Sequence, residues 1–496
     1  MVPAPWDSVP ARDTSFVLVT GANSGIGLGI CQRLIDEFLA TRSLTSHLIV
    51  IPTTRSARKS AETIALLRRH LYKTASSSSS SSKLRARGAA PEGILARVHI
   101  TSVQLDLCDF ATVRRAAGQL LGGTLALEGH GEVRIPRLDA VVLNAGIGGW
   151  TGLDWPRAAH NVFTAGWVQA TTWPTFKAAD PGLVTNPLPG SSADGDSDSS
   201  SSMMGTVFCA NVFGHYLLAH AILPLLSRRR RGEDDDVPPG RIIWESSLEA
   251  TGEHFSRDDF QAVRSRAAYE STKRLTDLLC LTADLPSVRP HALSYWEGPE
   301  AGRRKEEEEE EEEDGAVVGV AGEEAAVRKP KVYLCHPGIV VTTIFPLPLV
   351  LFYAYKFAMY ITRWLGSPWH TNTSYNAAAS MVWLALAAQG TLDDEGAGKV
   401  KWGSACDFWG NSMVKKTEVD GWGWQGKVED LDDEDDDRAT RVLRKITGRK
   451  RGAEVVTEET RAEFEEMGAS CWREMERLRG EWEARIEKTV ASNGHA

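Results

Sequence analysis

Residues 15–27 read Ser15-Phe-Val-Leu-Val-Thr20-Gly21-Ala-Asn-Ser-Gly25-Ile-Gly27. The first six form a short apolar run, the pattern of a parallel strand buried on both faces. Glycines follow without a gap, and Leu28-Gly-Ile-Cys-Gln-Arg-Leu-Ile35 continues with helical spacing. Strand, glycine turn and helix in direct succession are the context a dinucleotide site requires. The glycines let backbone approach a pyrophosphate, and the helix N-terminus favours its charge. The unit predicts an α/β chain with a Rossmann-type, doubly wound parallel sheet and helices on both faces.

Working outward, the same reading predicts strands over residues 47–51, 99–105, 138–143, 241–245 and 331–336, with a last strand within 398–410. Helices are predicted over 110–121, 206–218 and 373–388. The predicted dinucleotide-binding domain runs over residues 14–425. Three long inserts interrupt it, at about 74–92, 147–202 and 298–328, and they contain a serine run and an unbroken acidic run, Glu306 to Asp314. Such stretches read as solvated and partly disordered. An acidic-then-basic linker over 426–453 leads to an amphipathic helix over 454–490. Along that helix Phe464, Met467, Cys471, Met475, Leu478 and Trp482 recur every three or four residues. Thr460-Arg-Ala-Glu463 is the expected cap.

Composition narrows the function. Apolar residues make up 42% of the 496 and charged residues 25%, enough for a packed core. A formal net charge of -10 argues against nucleic acid as a partner. Seven cysteines, odd in number and without C-x-x-C spacing, read as reduced thiols on the cytosolic side of any membrane. Residues 1–15 contain no apolar signal-peptide region, and no metal is expected.

Tyr269 and Lys273 are four residues apart, which on a helix puts them on one face. A phenol with an ordinary pKa of about 10 is a weak proton donor. A neighbouring ammonium is expected to lower that pKa and let Tyr269 protonate a carbonyl oxygen that is gaining charge. After the second strand comes Pro52-Thr53-Thr-Arg55-Ser-Ala-Arg58-Lys59, with no acid and three bases. A guanidinium pairs with a ribose 2′-phosphate where an acid would select the free hydroxyl, so NADPH is predicted over NADH.

The spacing Thr20-Gly21-x-x-x-Gly25-x-Gly27 resembles the cofactor loop of the short-chain dehydrogenase/reductase family. That resemblance implies further roles. Gly21, Ser24, Gly25, Ile26 and Gly27 would contact the cofactor, as would Thr53, Arg55 and Lys59. Asp106 would bind the adenine ring, and Asn144 in Asn144-Ala-Gly146 would lie along the cofactor. Ile339 and Thr342, in the Pro337-Gly338-x-Val-x-Thr segment, would meet the nicotinamide carboxamide. Tyr269 and Lys273 would be catalytic and would also contact the cofactor. Asn211 would hold a water linking Lys273 to solvent. Ser247, the second of a serine pair, would position the carbonyl, with Ser246 as the alternative. Ser247 precedes Tyr269 by 22 residues, a longer gap than the family pattern. His336 is expected to be structural.

Residues 344–365, Ile-Phe-Pro-Leu-Pro-Leu-Val-Leu-Phe-Tyr-Ala-Tyr-Lys-Phe-Ala-Met-Tyr-Ile-Thr-Arg-Trp-Leu, carry only two charges. The interrupting prolines and Lys356 favour an amphipathic segment lying in a membrane surface, or a substrate-lid helix, over a clean span. Trp150, Trp155, Trp167 and Trp173 read either as an apolar substrate entrance or as a locally packed flap. Taken with Asn211-Val-Phe-Gly-His-Tyr, Ile243-Trp-Glu-Ser-Ser and Tyr269-Glu-Ser-Thr-Lys-Arg-Leu-Thr-Asp-Leu-Leu279, the chain resembles the 3-ketosteroid reductases of sterol biosynthesis. The resemblance implies NADPH-dependent reduction of a 3-keto sterol to the 3β-alcohol during C4 demethylation. It also implies a place at the cytosolic face of the endoplasmic reticulum membrane or on lipid droplets. The implied partners are the C4-methyl oxidase, the C3 dehydrogenase, their scaffold and the oxidosqualene cyclase. The competing readings are a reductase of another lipid or polyketide ketone, and a cofactor-binding scaffold of a sterol enzyme complex.

Overall fold

The computed structural model describes residues 3–76, 90–188, 203–229, 237–298, 327–341, 349–428, 450, 452–453 and 455–493. The acidic run, most of the serine run, the acidic part of the linker and Thr342 lie outside the described residues.

The elements follow the predicted order. Strand β1 (Thr14–Val19) leads to helix α1 (Gly25–Thr41), then β2 (His47–Thr54) and α2 (Ala57–Ser76). Short strands β3 (Val98–Ile100) and β4 (Val103–Gln104) precede α3 (Phe110–Leu121) and β5 (Ala140–Leu143). The tryptophan-rich insert builds a hairpin, β6 (Trp150–Leu153) with β7 (Lys177–Ala179), around helices α4 (Trp155–Ala165) and α5 (Trp167–Thr172). A helical run follows, with a π-helical turn over Cys209–Phe213 opening into α6 (Gly214–Ala221). Next come β8 (Arg241–Glu245), α7 (Ala268–Thr282), α8 (Arg289–Glu297) and β9 (Lys331–His336). The chain ends with α9 (Leu349–Trp364), α10 (Ala379–Leu386), β10 (Lys401–Cys406), β11 (Ser412–Thr417) and α11 (Glu458–Asn493).

Nine strands form the main sheet in the order β11-β10-β9-β8-β5-β1-β2-β3, with β4 beside β2. All pairings are parallel except β10 with β11. Successive residues of β1 alternate between two cores. Phe16 and Leu18 face the side covered by α3, α6 and α7, and Val17 and Val19 face α1, α2 and α10. A strand buried on both faces needs the unbroken apolar run seen in the sequence.

The C-terminal helix is part of this core. Phe464, Cys471, Trp472, Met475, Leu478, Trp482 and Ile486 are buried with residues of α3, α6, α7 and α8. Burying each large side chain contributes roughly 2 kcal/mol, so the helix is held firmly to α7 and α8. Its cap differs from expectation. The Thr460 amide donates to the Thr457 hydroxyl at 3.2 Å, and the Thr457 amide donates to the Thr460 hydroxyl at 3.0 Å. Thr457 precedes the first helical residue and is therefore the N-cap, with Thr460 as its reciprocal partner.

Candidate active site

The site lies at the carboxyl ends of β1, β5 and β8, where a doubly wound sheet binds its ligand. The glycine loop is shaped by close approach. Gly21 and Gly25 have φ of 65° and 55°, in the left-handed region that favours glycine. A side chain on Gly27 would strike the Gly21 carbonyl oxygen at 2.5 Å and the Asn144 side chain at 2.7 Å, whereas one on Gly25 would project into open space. That open space at the N-terminus of a 17-residue helix, with Ser24 exposed and Ile26 half-buried beside it, fits a cofactor diphosphate. Thr53 supports the loop from behind, its hydroxyl accepting from the Gly21 amide at 3.3 Å.

Beyond β2, Arg55 is exposed and Lys59 half-buried, and Arg58 pairs with Glu62 at 2.8 Å. Asp106 is half-buried, and its carboxylate accepts from the Cys108 amide at 3.0 Å. Asn144 bridges strands, donating from its side chain to the Thr20 carbonyl at 2.8 Å, while the Thr20 hydroxyl accepts from the Asn144 and Ala145 amides. Ile339 donates to the Trp369 carbonyl at 2.7 Å and packs against Leu248, Trp369 and Ala405.

Asn211 sits on the π-helical turn. Its carboxamide oxygen accepts from the Ile147 amide at 2.8 Å, and its NH2 donates to the Ile147 carbonyl at 3.0 Å and to Thr272 at 3.2 Å. The side chain thus ties Ile147, the residue after the Asn144–Gly146 turn, to α7. His336 is structural, as expected. It is buried, bonded to Thr417 at 2.7 Å and to the Gly338 amide, and burial holds it well below its ordinary pKa.

The serine pair is resolved by strand alternation. Ser246 points into the core with Ile242 and Trp244, donating to Asp277 at 2.5 Å and to the Lys273 carbonyl at 3.2 Å. Ser247 points the opposite way, is half-buried, and hydrogen-bonds Tyr269. The 22-residue spacing loops outward through two short 3-10 turns, Gly252–His254 and Arg257–Asp259, and returns without separating the two groups.

Tyr269 and Lys273 occupy one face of α7, with the Lys273 Nζ 5.6 Å from the Tyr269 ring centroid. One electrostatic expectation is corrected. Lys273 donates to the Glu245 carbonyl oxygen at 2.6 Å, and the phenol is pushed above its ordinary pKa. Burial is the largest cause; Glu249, Glu245 and Glu270 add to it, while the bond from Ser247 opposes them. In the protein alone Tyr269 is therefore held protonated, the form a proton donor needs. Burial also lowers the Lys273 pKa, against the pull of Glu245.

Several charged groups of the site carry no motif. Glu245 is buried, its carboxyl pushed up to about 8, and its Oε2 has no hydrogen-bond partner among the described residues. Asp277 and Lys401 form a buried pair beneath the serines. Lys177 pairs with Glu249 and lies 3.6 Å from Glu270. The one sequence signal available was strand alternation, which places Ser246 on the core face.

The insert tryptophans divide between the two readings. Trp150 lies on Tyr269 with ring centroids 4.8 Å apart. Trp173 packs beside Trp369 and Leu248, Trp167 donates to Thr362 of α9 at 2.9 Å, and Trp155 is exposed. Among the described residues no helix is long and apolar enough to cross a membrane. On α9, Leu349, Val350, Leu351, Tyr353, Phe357 and Trp364 are exposed.

Comparison with known proteins gives consistent relatives. The 3-keto-steroid reductase ERG27 of Gibberella zeae is 46% identical over 486 residues, 97% of this chain and 96% of its own length. The 3-keto-steroid reductase erg27 of Aspergillus fumigatus is 43% identical over 487 residues, 96% of each chain. That of Schizosaccharomyces pombe is 26% identical over 407 residues, 82% of this chain and 90% of its own. Among solved structures, a 3-oxoacyl-[acyl-carrier protein] reductase from Brucella melitensis in complex with NAD matches at TM-score 0.36 and 14% identity, over 77% of this chain and 93% of that one. Salutaridine reductase from Papaver somniferum matches at TM-score 0.32 and 16% identity, over 66% and 88%. No family model matches the chain.

Proposed function

This chain belongs to the 3-keto-steroid reductase family, and from that premise we propose that it reduces the 3-ketone of a sterol intermediate to the 3β-alcohol with NADPH, in C4 demethylation. The observation that carries the proposal is the gathering of Ser247, Tyr269 and Lys273 at the end of β8 and on α7, with Tyr269 held protonated. Bound NADPH supplies the hydride that reaches C3.

The protein's own residues do the rest. Ser247 donates a hydrogen bond to the ketone oxygen and fixes its position against Tyr269. As negative charge develops on that oxygen, the Tyr269 hydroxyl gives up its proton. The three carboxyls that raise the phenol pKa make the resulting phenolate costly, so a cation must offset it. Lys273 would take that role and would hold the nicotinamide ribose. Asn211 keeps the loop and α7 in register and supports proton return to Tyr269. Gly21, Ser24, Gly25, Ile26, Gly27, Asn144 and Ile339 would hold the diphosphate and nicotinamide half, and Thr53, Arg55, Lys59 and Asp106 the adenosine half. Arg55, with Arg58 engaged by Glu62, supports NADPH over NADH.

The exposed apolar side chains of α9 support contact with a membrane surface, and hence a place on the cytosolic face of the endoplasmic reticulum or on lipid droplets. There the enzyme would work beside the C4-methyl oxidase, the C3 dehydrogenase, their scaffold and the oxidosqualene cyclase. The test is conversion of a 3-keto sterol by detergent-solubilised protein with NADPH. Formation of the 3β-alcohol is expected. Bound NADPH with no turnover of any 3-keto sterol would contradict the proposal.

A further inference from the structure

The hairpin β6–β7 is an insert, yet its residues reach the centre of the site. Lys177 bridges to Glu249, two residues past Ser247, and lies 3.6 Å from Glu270, the neighbour of Tyr269. Its Nζ lies 4.1 Å from the Trp150 ring centroid and 5.3 Å from that of Tyr269. The side chains of Lys177, Glu249 and Glu270 are no more than 9% exposed. Trp150 reaches Tyr269 because Gly148 has no side chain; a Cβ there would strike the indole at 2.3 Å. Hairpin, serine loop and α7 therefore meet at Lys177.

We propose that Lys177, bound between Glu249 and Glu270, latches the tryptophan hairpin over Tyr269, and that the latched Trp150 ring is the wall against which the ketone-bearing ring system of the substrate packs. Lys177 is then a positioning residue and Trp150 a specificity residue. The inference rests on the reductase reading of Tyr269. Two acids hold one ammonium, and that ammonium also lies over an indole face, which makes the contact dependent on charge and geometry together. Removing the ammonium leaves two buried carboxyls facing each other with nothing between them. Among the described residues the hairpin pairs with no strand of the main sheet, so its release frees the wall while the sheet stays folded.

The experiment compares wild type, Lys177→Met, Lys177→Arg and Trp150→Leu in three measurements. These are NADPH binding, steady-state reduction of a 3-keto sterol and of a monocyclic ketone, and limited proteolysis within residues 147–188. Lys177→Met is expected to raise KM for the sterol at least tenfold, with kcat within threefold and KM for the small ketone within twofold. Cleavage in the hairpin should quicken, and Lys177→Arg should restore both. Trp150→Leu should raise the sterol KM alone and removes no charge from the core. Unchanged sterol KM and proteolysis in Lys177→Met would overturn the latch, as would equal loss on both ketones with NADPH binding lost. If wild type reduced neither ketone the functional reading would fall, while proteolysis would still decide whether Lys177 holds the hairpin.

Discussion

Lys401 Nζ lies 2.7 Å from Asp277 Oδ2, in an ion pair whose two side chains are 3% and 0% exposed. Lys401 also donates to the Ser247 carbonyl at 2.6 Å, and Asp277 accepts from the Ser246 hydroxyl at 2.5 Å. The pair is the floor under the serine loop and joins it to α7. Burial pushes the Asp277 pKa up and the Lys401 pKa down, while each charge pulls the other back. Removing one partner leaves the other charged and buried, at a cost of about 3–5 kcal/mol. Asp277→Asn and Lys401→Met are each expected to lose stability of that order in denaturant unfolding. A loss below about 1 kcal/mol in both would show that the pair does not bear on the fold.

Stability should fall with rising pH over a defined window. Burial raises the Glu245 carboxyl from 4.5 to about 8 and the Glu249 carboxyl to about 7. Between the unfolded and folded values the folded protein binds more protons. Stability contributed by these groups is therefore present at low pH and lost as pH rises toward 7–8. Glu245→Gln should flatten this slope and raise Tm at pH 8 relative to wild type. A Tm difference between the two proteins that stays constant from pH 5 to pH 8.5 would contradict the assignment.

The proposed preference for NADPH rests on Arg55. Arg55→Asp is expected to weaken NADPH binding roughly tenfold or more, the size of a lost charged hydrogen bond, and to change NADH binding far less. Dissociation constants for both cofactors check this. Equal loss with both would remove Arg55 from the adenosine site.

The aromatic helix should bind lipid. Val350 is 80% exposed and Phe357 60% exposed on α9. Val350→Lys and Phe357→Lys should each lower association with phosphatidylcholine vesicles roughly tenfold, since burying one such side chain is worth about 1.5–3 kcal/mol. Flotation that is unchanged in both variants would assign the helix to protein or substrate contact alone.

The fold was legible because a parallel strand, a glycine turn and a helix each demand a local residue pattern, and residues 14–41 supply all three. Tyr269, Lys273 and Ser247 were legible for the same reason, as motif positions on a strand end and a helix face. Strand alternation already separates Ser246, in phase with Ile242 and Trp244, from Ser247. The electrostatics were not legible. Glu245, Asp277, Lys401 and Lys177 acquire their roles from partners far away in sequence, and burial then decides the sign of each pKa shift. That is why the Tyr269 phenol stands above its ordinary range although a lysine lies one turn away.

If Tyr269 delivers the proton to a sterol 3-ketone, removing its hydroxyl must slow the reduction itself. The most direct measurement is 3β-alcohol formation from a 3-keto sterol and NADPH by wild type and Tyr269→Phe, with NADPH affinity measured on both. Loss of a positioned proton donor costs about 10²–10⁴-fold. A loss in that range is expected, with NADPH affinity held within a few fold. Turnover of the variant within a few fold of wild type would contradict proton delivery by Tyr269.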